Sequence, residues 1–218
     1  MEFHLVYEGL LYSTQKDPVS GQANKRASHK HDIRRQLLPQ LKQLWATNSF
    51  LRQARIAYGE DKSAERIPDG KSYWGGDEKD GPMAEVLAQR FSMFGYRFVP
   101  LVREDISVRC SLEILFLRRD HPGTVIKAGD IDNRLKTFFD ALRIPKASEM
   151  VGNEKPQDDE DPFYVLLEDD SLITRIAVET GMLLDPPTDD DADVSKVRML
   201  LTVNIRPYHV TMFNLSFA

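Results

Sequence analysis

Gly129-Asp130-Ile131-Asp132-Asn133-Arg134-Leu135-Lys136-Thr137-Phe138-Phe139-Asp140-Ala141-Leu142 is the stretch on which the reading of this 218-residue chain turns. Its apolar residues Leu135, Phe138, Phe139 and Leu142 follow the i, i+3, i+4, i+7 spacing of a helix with one buried stripe. Asp132 or Asn133 suits the N-cap, where a side-chain oxygen accepts from free backbone N–H groups. Asp132, Lys136 and Asp140 are spaced by four and share a face away from the phenylalanines. Asp130 ends the preceding extended segment, so the stretch is a strand-to-helix corner with two neighbouring carboxylates.

The flanking segments extend that corner into a fold. Ile106 to Phe116 alternates with a period of two, placing Ile106, Val108, Cys110, Leu112, Ile114 and Phe116 on one face. Arg109 and Glu113 fall on the other face, and Leu115 and Leu117 make the far end apolar on both sides, as expected of a central strand. Phe3, Leu5 and Tyr7 predict a first strand, and Leu172–Glu179 and Val197–Ile205 predict two later ones. Ser28 suits the cap of a helix with the stripe Ile33, Leu37, Leu41, Leu44 and Trp45, in which Pro39 marks a kink or a late start. Val86, Leu87, Arg90, Phe91 and Phe94 suggest a second helix. The expectation is an α+β fold, one domain over residues 1–218, with a mixed β-sheet and helices packed on it.

Two carboxylates as close as Asp130 and Asp132 repel each other, and a divalent cation relieves the repulsion. Hard oxygen donors of this kind favour Mg²⁺ or Mn²⁺ over zinc. Asp169-Asp170 precedes another extended segment and offers a third carboxylate. A plainer reading has Asp132 as a helix cap and Asp132–Lys136–Asp140 as a solvated charge ladder. A cap needs only one carboxylate, however, so Asp130 and the downstream acidic pair favour the metal site.

Asp130-Ile131-Asp132-Asn133, then Lys136, then Asp140-Ala141-Leu142, followed by Asp169-Asp170 and two strand-like runs, resembles the RusA family of Holliday-junction resolvases. The resemblance covers about residues 106–207, as strand, motif helix, acidic pair, strand, strand. It implies a small α+β fold, a homodimer, and Mg²⁺-dependent phosphodiester hydrolysis that nicks four-way DNA junctions symmetrically. By position it makes Asp130, Asp132 and Asp170 the metal-binding carboxylates and Lys136 the catalytic lysine, with Asp169 as neighbour to the third ligand. Departures from the family are the missing proline-rich turn after the first strand and two long insertions, at about 47–82 and 144–168. Under this reading the metal lowers the pKa of a bound water and neutralises phosphate charge, while Lys136 faces the developing charge.

Overall charge is −5, against the basic footprint usual for nucleic-acid binders. The charge is uneven. Residues 1–146 hold 24 Lys+Arg and 19 Asp+Glu, net +5, and residues 147–218 hold 5 and 15, net −10. Much of the acid lies in Asp158-Asp159-Glu160-Asp161 and Asp189-Asp190-Asp191-Asp193, which read as solvated loops beside prolines. Lys25, Arg26, Lys30, Arg34 and Arg35 form the densest basic cluster and are the candidate phosphate contacts, with a solvated basic face as the alternative. His29 and His31 have no further His or Cys nearby and read as exposed residues rather than ligands. Tyr73 and Trp74, in a Gly-rich loop, suit either base stacking or covering the core edge.

A single cysteine, Cys110, rules out an internal disulfide and suggests a reducing cytoplasm; its place in an alternating strand suggests core rather than nucleophile. No apolar stretch approaches membrane-spanning length, and Met1-Glu2-Phe3-His4 lacks the basic start of a signal peptide. Neither a Ser-His-Asp nor a Cys-His constellation nor a nucleotide-binding glycine loop is present. The competing functions are a catalytically silent DNA-binding or assembly protein of the same fold and a metal-dependent phosphohydrolase acting on a small substrate. The lysine beside the metal motif favours catalysis over the silent module, since binding alone does not need it.

Overall fold

The computed structural model describes residues 1–12, 22–57, 80–119, 131–150, 155–184, 196–211 and 214–218. In chain order, β1 (Glu2–Leu10) is followed by α1 (Gln22–Thr47), α2 (Ser49–Gln53), β2 (Arg55–Ala57), β3 (Asp80–Pro82) and α3 (Met83–Arg90). Next come β4 (Ser92–Met93), β5 (Tyr96–Val102), β6 (Val108–Arg118) and α4 (Ile131–Leu142). The chain closes with β7 (Phe163–Leu167), β8 (Ile173–Met182) and β9 (Lys196–Pro207).

Alternation in the sequence becomes a mixed four-stranded sheet in the order β1-β9-β6-β8. β9 runs antiparallel to both β1 and β6, while β6 and β8 are parallel. β6 is central, as its two-sided apolar end predicts, and Val108, Cys110, Leu112, Ile114 and Phe116 are buried on one face. α1 packs against α4 and β1, supplying Ile33, Leu37, Leu41 and Trp45 to the core. Among the described residues no element covers the other sheet face, and Val6, Leu200 and Leu115 lie in one exposed row across β1, β9 and β6. Burial of Cys110 pushes its thiol up to about 12, which removes it as a nucleophile.

The two edges of this sheet are finished differently. At β1, the Gln40 amide accepts from the Val6 N–H at 2.8 Å and donates to the Val6 carbonyl at 2.7 Å. Gln36 donates to the Glu8 carbonyl at 2.5 Å. Side chains of α1 therefore occupy the groups a further strand would use. At β8, no described strand or side chain pairs the outer edge over Arg175–Glu179.

A second sheet, β4-β5-β7, departs from the expectation of one sheet. β5 and β7 pair in parallel and bury Phe98, Val99, Leu101, Val102, Phe163, Val165, Leu166 and Leu167. Phe163–Leu167 lies inside the segment expected to be an insertion at about 144–168, so that segment supplies a core strand rather than a wholly peripheral excursion. The insertion expected at about 47–82 likewise contributes α2 and the β2–β3 pair, while residues 58–79, including Tyr73 and Trp74, lie outside the described region.

Three local expectations are corrected. α1 begins by Gln22, before Ser28, and continues through Pro39 to Thr47. α3 ends at Arg90, and Phe94 belongs to the β4–β5 turn rather than to a helix stripe. Phe94 (φ 56°) and Gly95 (φ 82°) both have positive φ between the paired residues Met93 and Tyr96. That is the geometry of the two-residue hairpin whose twist matches its strands. His31 is buried, edge-on to Tyr96 and stacked with Phe163 at ring-centroid distances of 5.5 and 5.6 Å. Among the described residues, no helix is long and apolar enough to cross a membrane.

Candidate active site

α4 places the motif residues, and the packing of α4 divides them. Ile131, Leu135, Phe138, Ala141 and Leu142 are buried along one stripe, as the spacing predicts. Asp132 lies in the first turn, inside the helix rather than at its cap. Asp132 and Lys136 are both exposed, and neither makes a hydrogen bond or ion pair among the described residues. Asp130 lies outside the described residues.

Asp140, the third member of the same i, i+4 ladder, has the opposite fate. Its carboxylate meets the Lys30 ammonium at 2.6 Å and the Arg143 guanidinium at 3.1 Å. Lys30 also meets Glu149 at 2.5 Å, and Arg143 donates to Glu149 at 3.0 Å. Arg34 donates to the Asp140 carbonyl at 2.7 Å and to the Arg143 carbonyl at 3.2 Å, satisfying acceptors that a helix end leaves free. Its positive charge also sits where the helix dipole is negative. Burial lowers the Arg34 guanidinium to about 10, against the support of Glu149, so it stays charged at neutral pH. Burial alone would raise Glu149, but hydrogen bonds from Lys30 and from the Lys146 backbone, with the charges of Lys30 and Arg143, hold it below the usual carboxylate range.

This network corrects the reading of the basic cluster. Lys30 and Arg34 join α1 to the end of α4, and Arg34 is only 2% exposed, too deep to touch a phosphate. Arg35 is paired with Glu160, which is itself buried rather than part of a solvated run. Arg26 is exposed on α1, and the Lys25 side chain lies outside the described residues. Of the five expected phosphate contacts, Arg26 is therefore the described one left facing solvent. His29 is half-buried beside Tyr12, with ring centroids 4.9 Å apart, and burial lowers its pKa. Asp189–Asp193 lie outside the described residues.

The acidic pair adopts two distinct roles. Asp169 caps a short 3-10 turn (Asp170–Leu172), its carboxylate accepting from the Ser171 N–H at 3.0 Å. Those hydrogen bonds from Ser171, helped by Lys146 and Arg143, lower the Asp169 pKa. Asp170 is exposed, with one oxygen 3.8 Å from Nε of Arg143.

Within one chain, Asp170 and Asp132 are not brought together. Arg143 follows the last turn of α4 and Asp132 lies in the first, which is about 16 Å of helix axis at 1.5 Å per residue. The sheet gives the same picture. Phe138 packs on Tyr7 (centroids 5.4 Å apart), and Tyr7 and Phe116 are both partners of Met199 near the C-terminal end of β6. Asp170–Leu172 precedes Ile173, which faces Cys110 near the N-terminal end of β6. The expectation that Asp170 returns to Asp132 in the same chain is thus corrected: β8 runs parallel to β6 and starts at the far end.

At the Asp170 end lies a cleft of about 320 Å³ lined by Arg90, Asp105, Arg143, Lys146, Glu168 and Asp169 together with Phe91 and Met93. Burial, with the charge of Asp105 adding to it, raises Glu168. Arg90 is paired with Asp105 at 2.8 Å. Nothing in the spacing of these residues marks them as neighbours, since they come from four separated segments. Compared with family models, curated proteins and solved structures, the chain shows no match.

Proposed function

We propose that this chain is a Mg²⁺-dependent, structure-selective DNA endonuclease that nicks phosphodiesters at four-way junctions and acts as a homodimer. The observation carrying this reading is the split ladder of α4. Asp140 is consumed by the fold, while Asp132 and Lys136, one turn apart on the same helix, are exposed without a described partner. The order β6, α4, acidic pair, β8, β9 supports the resemblance to the RusA-type resolvases, with β7 intervening between α4 and the acidic pair.

Asp132, with Asp130 two residues before it, offers the hard carboxylate oxygens that Mg²⁺ or Mn²⁺ prefers. When bound, such an ion supplies water activation and neutralisation of phosphate charge. Lys136 stands one helical turn from Asp132, and its ammonium would face a phosphate oxygen on which charge builds. Arg26 and the undescribed Lys25 side chain remain the candidate backbone contacts on α1.

The test is a labelled four-way junction incubated with Mg²⁺, beside linear duplex and a small aryl phosphate. Nicking of the junction alone, lost in Asp132→Asn with junction binding in Ca²⁺ retained, is the expected result. Binding without nicking in the wild type would make the chain a silent DNA-binding module. Turnover of the aryl phosphate alone would make it a small-substrate phosphohydrolase.

A further inference from the structure

β8 has features that the rest of the sheet lacks. Ile176, Val178 and Met182 point to the face covered by helices elsewhere, yet remain 46%, 37% and 38% exposed. Its outer edge is unpaired among the described residues, whereas β1 is closed by Gln36 and Gln40. An unpaired edge presents a row of free N–H and C=O groups that another strand can use, and exposed apolar side chains beside it favour such pairing.

We propose that β8 docks antiparallel against β8 of a second copy, on a two-fold axis at Ala177. The strand's own sequence selects this register. In an antiparallel pair, directly opposed residues share a face, so a two-fold must centre on a residue. Centring on Ala177 sets Arg175 against Glu179 of the second copy on the open face, twice. It sets Ile176 against Val178 on the other face, within the regular part of the strand that follows the irregularity at Thr174. Opposite charges and β-branched pairs are cross-strand combinations that stabilise a sheet. Moving the axis to Ile176 or Val178 puts Arg175 opposite Ala177 or Gly181 and leaves the charges unmatched. Arg175 already reaches Glu113 across the sheet at 2.6 Å, so the pairing extends this into a Glu113–Arg175–Glu179 ladder between copies. The two sheets merge into one of eight strands, and the exposed Ile176 and Val178 become interfacial.

This surface rests on the homodimer proposed above and names its seam, and it is tested without reference to the nuclease chemistry. Sedimentation velocity across the micromolar range should show a wild-type dimer. Val178→Lys places two lysines against Ile176 at the centre of the seam and should give a monomer, with circular dichroism unchanged because the site is exposed. Glu179→Arg and Arg175→Glu each replace two attractive pairs by two repulsive ones and should raise the dimer dissociation constant about tenfold or more. Mixed in equal amounts, these two variants should form a heterodimer, since every opposed pair is then of opposite sign. A monomeric wild type overturns the proposal and leaves the edge to another extended segment. Single charge variants that dimerise like the wild type, or that do not associate when mixed, overturn the register and with it the surface.

Discussion

The two ends of α4 carry the same kind of residue at the same spacing and use them in opposite ways. At the C-terminal end, Asp140, Arg143, Lys30, Arg34 and Glu149 form a shielded network that ties α1, α4 and the Ala147–Glu149 turn together. At the N-terminal end, Asp132 and Lys136 touch no described partner. Period-four charge spacing establishes that these groups share a face. It does not establish whether water or protein fills the space above that face. Among the described residues α1 covers one end only, and the charges left uncovered there are the ones open to a ligand.

Five experiments would break or sharpen this contrast. The largest effect is expected from Asp132→Asn, which should abolish junction nicking. Asp170→Asn should do the same from the other end of the helix, and a mixture of the two inactive proteins should regain part of the activity. Recovery is expected because the proposed antiparallel seam would carry Asp170 of one copy toward the end of the sheet where Asp132 of the other stands. Absence of recovery in mixed dimers verified by sedimentation would confine the site to one chain.

Glu149→Ala should cost about 3–5 kcal/mol, the loss usual when one partner of a buried charge network is removed. A urea midpoint close to wild type would show the network to be dispensable. Lys136→Ala should slow nicking by about 10²-fold or more, as expected for loss of one preorganised donor. Rate and metal titration, read together, would distinguish it from a ligand, since metal affinity should stay the same.

His31 provides the fourth test. Burial first, then Arg35, holds its imidazole down at about 4, with Glu160 pulling the other way. The folded state thus takes up a proton less readily than the unfolded chain. His31 contributes full stability above the unfolded value of 6.5, and the contribution falls as pH drops from 6.5 toward about 4. The slope should approach about 1.4 kcal/mol per pH unit within that window. His31→Phe should flatten the stability profile between pH 6.5 and 5, and an unchanged slope would place the titrating group elsewhere. The smallest effect belongs to Lys136→Ala in denaturation, where a change within about 0.5 kcal/mol is expected of an exposed side chain.

How much of this was legible depended on whether the cause was local. β1, β6, β8, β9 and α4 could be read because one face of each alternates or spirals between apolar and polar. Tyr96–Val102 and Phe163–Leu167 could not, because both are buried on two faces and show no period, and Pro100 further disguises the first. Phe94 in a left-handed turn carries none of the usual Asn-Gly signal. Glu160 and His31 looked like solvated residues because their partners, Arg35, Tyr96 and Phe163, come from distant segments. Within the site, the helix face bearing Asp132 and Lys136 was readable from four residues. The position of Asp170 was not, because it follows from β8 being parallel to β6, which is a property of sheet order.

The glutamines on α1 also fix the valence of the molecule as a building block. An extended sheet with two open edges can add copies at either side and run on into ribbons. Here Gln36 and Gln40 close the β1 side, and the proposed isologous β8 seam would use up the other, so growth would stop at two. On that proposal, two side-chain amides separate a closed pair from a fibre.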